Sequence, residues 1–179
     1  MTDAVDLERR AAVMRDSFII VARGSNGVIG RGPEIPWRHS GDMRHFRNAT
    51  LGCALIVGRT TFDTLPRSMP GRDVVVITSR PMPDDSDAIA VTSMEDAVEA
   101  ALQTGSRAIA FAGGPRIYEA AMGLEWLGRA IITEIAAAPE GDAHMPPLGE
   151  TWVSCGTTRL VSREGEPEAA VVRYERREE

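Results

Sequence analysis

Residues 108–115 read Ala108-Ile109-Ala110-Phe111-Ala112-Gly113-Gly114-Pro115, and their order of types decides the fold class. Five apolar residues in succession show no alternation, so a strand here is covered on both faces, as in a parallel sheet. The glycine pair ends the run, and Pro115 stands at a helix's first turn, where its missing N–H costs least. A buried strand that turns directly into a helix is half of a β-α-β unit.

The same grammar repeats on either side. Phe18-Ile19-Ile20-Val21-Ala22, Ala54-Leu55-Ile56-Val57, Val74-Val75-Val76-Ile77 and Ala130-Ile131-Ile132-Thr133 are further apolar runs of strand length, and Ile89-Ala90-Val91 is a shorter one. Gly58-Arg59-Thr60-Thr61 turns the second run into a helix, and Ser93, with Asp96 three residues on, caps another. Trp152 to Val161 and Ala169 to Tyr174 alternate more and enclose a polar Gly/Pro turn, which predicts an antiparallel edge hairpin. The expected architecture is α/β: one domain, a mostly parallel central sheet with helices on both faces, and the antiparallel C-terminal hairpin at its edge. Residues 1–16 read as an N-terminal extension, peripheral or flexible, and residues 17–179 as the catalytic domain.

Composition narrows the classes. A chain of 179 residues suits one domain with a sizeable core. At 43% hydrophobic and 26% charged residues it has ordinary globular usage. No apolar run reaches the roughly 18 residues of a membrane span, and Met1 to Asp6 carry no signal-like segment, so a cytoplasmic protein without a membrane partner is expected. Cys53 and Cys155 have no metal-type spacing, and His39, His45 and His144 are scattered, so no metal site is expected. A net charge of −6 argues against a nucleic-acid surface. All 20 basic residues are arginine, so any anion site uses guanidinium, backbone N–H or hydroxyl groups.

Parallel sheets bind ligands beyond the carboxyl ends of their strands, which points to Ala22, Gly58, Thr78, Ala112 and Thr133. Neither GxGxxG nor GxxxxGK[ST] occurs. What stands there instead is Gly27-Val28-Ile29-Gly30, Ile35-Pro36-Trp37, Asp42 with Phe46, Gly58-Arg59-Thr60-Thr61-Phe62, Leu65-Pro66, Pro70-Gly71-Arg72, Thr78-Ser79-Arg80, Gly113-Gly114 with Ile117-Tyr118, Thr133, and Glu140-Gly141-Asp142. In this order and spacing, over roughly residues 17–176, the set resembles the dihydrofolate reductases.

The resemblance implies reduction of 7,8-dihydrofolate to 5,6,7,8-tetrahydrofolate, with hydride delivered to C6 from NADPH and a proton taken up at N5, in an antifolate-binding monomer. It makes Asp42 the acid that pairs with the pterin's 2-amino group and ring nitrogen, hydrogen-bonded by Thr133, with Ile35, Trp37 and Tyr118 completing the catalytic set. Any acid in a helix's first turn is also favoured by the dipole. Buried among Ile20, Met43 and Phe46, the Asp42 carboxyl is expected to have a raised pKa. Ile20, Ala22, Met43, Phe46, Leu65, Met69, Arg72 and Ala112 are the implied substrate residues, with Arg72 gripping the glutamate tail's α-carboxylate. Ala22, Ile29, Gly58, Arg59, Thr60, Thr61, Thr78, Ser79, Arg80, Gly113, Gly114, Arg116 and Ile117 are the implied cofactor residues. Of these, Arg59, Thr60, Ser79 and Arg80 are expected around the adenosine 2′-phosphate, and helix starts at Gly58 and Gly113 to Arg116 offer free N–H groups. The glycine-rich segment Gly24 to Pro36 is read as a loop over the nicotinamide, with Asp142 on a second loop able to bond to it.

Three departures from the pattern, His45, Ala112 and Pro115, predict a roomier cleft. Two other readings compete: a pyrimidine or pterin reductase of the riboflavin-pathway type, and a non-catalytic NADPH-binding sensor. Asp42, the Trp37 context and Arg72 favour folate over the first. Intact Asp42, Thr133 and Tyr118 speak against the second.

Overall fold

The computed structural model describes residues 4–177, so residues 1–3 of the expected extension and 178–179 of the expected domain lie outside the described residues. Eight strands form one sheet in the order β5-β4-β3-β6-β1-β7-β10-β9. They are β1 (Phe18–Gly24), β3 (Ala54–Gly58), β4 (Asp73–Ile77), β5 (Ile89–Val91), β6 (Ile109–Phe111), β7 (Arg129–Ile135), β9 (Trp152–Arg159) and β10 (Ala169–Arg176). The pairings from β5 through to β7 are parallel, and those of β7 with β10 and β10 with β9 are antiparallel. The parallel core and the edge hairpin both match the sequence pattern.

Alternate residues of each strand enter two different cores. Ile19, Val21, Ile56, Val75, Phe111 and Ile132 face α4 (Met94–Gln103) and α5 (Pro115–Met122). Phe18, Ile20, Leu55 and Ala110 face the other way, where Phe46 and Ala49 of α2 (Ser40–Ala49) pack on them. Ser93 caps α4, accepting from the Asp96 N–H at 3.0 Å. A six-residue helix, α3 (Arg59–Thr64), follows β3. Two short strands that the periodicity does not reveal, β2 (Val28–Gly30) and β8 (Ala143–His144), pair beside the sheet. They are too brief for an apolar period to register.

The N-terminal helix α1 (Ala4–Asp16) buries Val13, and Arg10 pairs with Glu99 of α4. Ser17 joins this helix to the sheet. Its buried hydroxyl donates to the Val13 carbonyl at 2.7 Å and accepts the Ile109 N–H at 2.9 Å. Replacing Ser17 by Ala leaves a buried N–H without a partner, which costs about 1–3 kcal/mol. Urea unfolding of Ser17→Ala is therefore expected to show a loss in that range with an unchanged m value; a loss within error of zero would show that another acceptor takes over.

Candidate active site

Asp42 sits on the third helical residue of α2, so its side chain is set by how that helix starts. His39 precedes the helix with extended backbone, and its Nδ1 accepts the Asp42 N–H at 3.0 Å, a capping bond made by an imidazole. The Asp42 carboxyl is driven above its ordinary pKa by burial. The Thr133 hydroxyl and the His45 and His39 rings near it oppose that shift. Thr133 is buried on β7 and lies in register with Ala22 of β1, so the hydroxyl near Asp42 stands toward the carboxyl ends of adjacent strands. Met43, expected among the side chains burying Asp42, is instead 54% exposed, because it points off the free face of α2. Ile35 is 63% exposed on the same approach. His45 is half-buried; burial lowers its pKa, and its Nε2 has no hydrogen-bond partner among the described residues.

Tyr118 is central rather than peripheral. Its hydroxyl donates to the Ile20 carbonyl at 3.0 Å, and burial together with the nearby Asp42 charge raises the phenol's pKa. The Gly113–Gly114 peptide is cis, and Gly113 has φ +114, where L side chains are strained. A Cβ on Gly113 would lie 3.1 Å from Tyr118 Oη and 3.4 Å from Thr61 Oγ1, whereas one on Gly114 would meet only Thr61 Oγ1, at 3.5 Å. The glycine pair thus presents bare backbone beside Tyr118 and α3.

The expected free N–H at Gly58 is corrected by the structure: it donates to the Gly113 carbonyl at 2.8 Å and ties the two turns together. The first turns of α3 and α5 lie beyond it, and no side chain among the described residues caps either helix. Arg59 and Arg80 come together, but over an acid that sequence reasoning passed by. Asp63 accepts from Arg59 Nε at 2.7 Å and lies 3.6 Å from Arg80 Nη2. The Thr78 hydroxyl accepts the Arg80 N–H at 3.0 Å. Thr60, Ser79 and Arg116 are exposed, while Thr61 and Thr78 are half-buried. Ile117 is buried in the core, and Ile29 is partly buried against it.

On the substrate side, Ile20 is buried, and Phe46, Met69 and Ala112 pack against the same small core. Leu65 ends α3, and Trp37 and Ala22 are half-buried. Arg72 is held by neutral acceptors only. Its Nε donates to Thr50 Oγ1 at 2.8 Å, one Nη to the Pro70 carbonyl at 2.7 Å and the other to the Arg47 carbonyl. Among the described residues no carboxylate pairs with it. A fixed guanidinium without a counter-ion keeps its charge available to an anion. Thr50 and Arg107, the latter donating to the carbonyls of Ala49 and Leu51, hold the end of α2 and were not singled out by motif.

The loop over the cleft is anchored as expected by Asp142, whose oxygens accept the Gly32 N–H at 3.0 and 3.1 Å. The neighbouring Gly141 admits no side chain, since a Cβ there would lie 2.3 Å from Val28 Cγ1 and 2.5 Å from the Gly30 carbonyl oxygen.

Known proteins share this chain's sequence pattern and fold. The family model described as dihydrofolate reductase matches residues 17–176. A dihydrofolate reductase of Mycobacterium tuberculosis is 38% identical over 140 residues, covering 75% of this chain and 82% of the relative. One from Haloferax volcanii is 33% identical over 174 residues, covering 90% and 84%. The solved dihydrofolate reductase of Enterococcus faecalis, complexed with NADP(H) and RAB-propyl, superposes with a TM-score of 0.82 at 23% identity, covering 92% of this chain and 98% of that one, and so shares the fold. The chain belongs to the dihydrofolate reductase family.

A raised Asp42 pKa means that ionising the carboxyl costs folding free energy. The sign follows from proton binding. Between the unfolded value of about 4 and the higher folded value, the native state holds more protons than the unfolded one, so stability falls as pH rises. Asp42→Asn keeps the shape and an acceptor for Thr133 while removing the charge. It is expected to raise Tm at pH 7 and to leave it unchanged at pH 3; calorimetry at both values, with a lower Tm for the variant at pH 7, would contradict the burial argument.

Proposed function

We propose that the protein reduces 7,8-dihydrofolate to tetrahydrofolate with NADPH, and that one observation carries the assignment: Asp42 is a half-buried acid beside the Thr133 hydroxyl, and Arg72 is held by neutral groups with no acid partner among the described residues, which we read as the two ends of one cleft. The two ends match the two ends of a folate, an amino-pteridine ring and a glutamate carboxylate.

Asp42 holds the pterin's 2-amino group and ring nitrogen through two acceptor oxygens, with Thr133 fixing their orientation. The carboxylate beside the ring favours proton uptake at N5, and water delivers that proton, since one carboxyl group cannot span the ring edge and also reach N5. Ile20, Ala22, Met43, Phe46 and Ala112 exclude solvent around the ring, and Leu65 and Met69 line the route to Arg72. Ile35 and Trp37 close the approach from the loop that Asp142 anchors. Met43 and Ile35, exposed as they are, gain cover when substrate lies against them.

The residues present fit the cofactor. Bare backbone at Gly113–Gly114, two helix starts and the Thr60, Thr61, Ser79 and Arg116 side chains offer donors to phosphates without any lysine. Arg59 and Arg80 converge where a 2′-phosphate favours NADPH over NADH, with Asp63 holding both until then. When bound, NADPH supplies the hydride that C6 accepts. Tyr118 holds the strand-end carbonyl of Ile20 and packs beside Gly113, keeping substrate and cofactor sides in register.

The reading takes residues 17–179 as the catalytic unit and residues 1–16 as an appendage at its periphery. Each chain then carries a whole site and works as a cytoplasmic monomer open to antifolates. Arg72 favours it over a riboflavin-type reductase, whose substrate has no glutamate tail.

The decisive assay follows NADPH oxidation at 340 nm with 7,8-dihydrofolate, beside Asp42→Asn. Saturable turnover is expected at pH 7, falling by about 100-fold or more in the variant, the scale of a lost acid–base group. Saturable NADPH binding with no turnover by the wild type would overturn the assignment.

A further inference from the structure

Among the described residues of α2 none is buried, although the helix carries Asp42. Phe46 and Ala49 seat one face of it on the sheet, and side chains from elsewhere in the chain hold its two ends. At the C-terminal end Thr50, Arg72 and Arg107 bind its last carbonyls or its cap. At the N-terminal end the holding groups come from the far side of the chain, the loop between β9 and β10.

Glu166 of that loop accepts the Ser40 N–H at 2.8 Å on one oxygen, and the Ser40 hydroxyl at 3.2 Å and the Arg163 N–H at 2.8 Å on the other. It thereby closes its own loop and satisfies the first N–H of the helix in one act. His39 makes a second link. Accepting at Nδ1 from Asp42 leaves the ring proton on Nε2, which lies 3.1 Å from Ser162 Oγ; that hydroxyl donates onward to the Pro167 carbonyl at 3.0 Å. Every donor in this chain finds an acceptor in one direction. His39 is 2% exposed. The loop also presses on the first turn, where a Cβ on Gly41 would lie 3.0 Å from the Val161 carbonyl oxygen and 3.0 Å from His39 Cε1.

We propose that Glu166 and His39 are positioning residues for Asp42: the β9–β10 loop clamps the first turn of α2 and so sets the direction of the carboxylate. This rests on the reading of Asp42 as the acid that holds the pterin. The Glu166 carboxyl is depressed to about 2 by the Arg163 and Ser40 donors, so the clamp stays charged throughout the neutral range. Neither residue touches substrate; each acts through the backbone of residues 40–42. Misplacing a reacting group by a fraction of its bond length to substrate is costly to turnover and hardly felt by groups elsewhere in the cleft.

The test pairs disruptive with conservative variants in the intact enzyme. Glu166→Ala and His39→Leu are expected to lower kcat for dihydrofolate by about 10- to 100-fold and raise its KM, with KM for NADPH unchanged. His39→Asn, which keeps a cap acceptor for the Asp42 N–H, and Glu166→Gln, which keeps an acceptor oxygen, recover most of the loss. Amide exchange supplies a readout independent of turnover: the Asp42 and Met43 N–H groups exchange faster in the disruptive pair, while those of β1 and β6 do not. Unchanged exchange and unchanged kcat in Glu166→Ala would overturn the clamp. So would a loss that follows the unfolded fraction and raises both KM values together. Failure of the Asp42 reading looks different: the wild type itself shows no turnover, and the exchange experiment still decides whether the loop fixes the helix.

Discussion

A carboxyl group half out of water is unstable company for an apolar sheet, and the cleft is arranged around keeping Asp42 there. Burial disfavours its charge, the Thr133 hydroxyl restores part of what burial removes, and Tyr118 shares the same low-dielectric surroundings. Move the acid outward and its pKa returns to the ordinary range while the pterin edge loses its partner. Move it inward and Thr133 alone cannot hold the charge. The useful placement is narrow, so the geometry of α2 matters more than its helical propensity.

The parallel sheet provides the fixed side of that geometry. Strands β1, β6 and β7 put Ala22, the Gly113–Gly114 backbone and Thr133 at one edge, and the register of Ala22 opposite Thr133 locks two of them together. The adjustable side is α2, which buries little and is tied down at both ends by side chains from distant parts of the chain. A rigid floor and an end-held helix give a cleft that can take a flat ring without a large cavity in the free protein. Strand β2 and the turn after it are pinned by the Asp142 bond to Gly32 and by the side-chain-free approach of Gly141.

Much of this is legible in the sequence because a doubly covered parallel strand must be apolar throughout. The runs at Phe18, Ala54, Val74, Ala108 and Ala130 could hardly be anything else, and the strand-end rule then points at Ala22, Thr133 and Gly113. Asp42, Arg72 and Asp142 stand out through motif order; the raised Asp42 pKa and the Asp142 bond to the first loop are as expected, and the Thr50 contact of Arg72 is not foreseen. The illegible part is made of pairs far apart in sequence with no periodic signature. Glu166 and Ser40 are 126 residues apart, and Arg72 and Thr50 are 22 apart. His39 looked like one of three scattered histidines, because an imidazole cap has no composition signal. Asp63 carries no motif signal, because the two arginines on it meet only in the fold. The free N–H expected at Gly58 failed for a related reason: a turn's donors are claimed by whichever neighbouring turn the fold brings close, here Gly113.

On this reading Asp42 is a partly buried carboxyl placed for chemistry rather than a helix-start acid. The most direct measurement is an NMR titration of its carboxyl carbon in the ligand-free protein, assigned by its disappearance in Asp42→Asn. A midpoint above the usual carboxylate value of about 4, falling back toward it when Glu166→Ala loosens the helix and admits water, is the result the account predicts. A midpoint at or below that value would make Asp42 an ordinary first-turn acid favoured by the dipole, and would contradict the account.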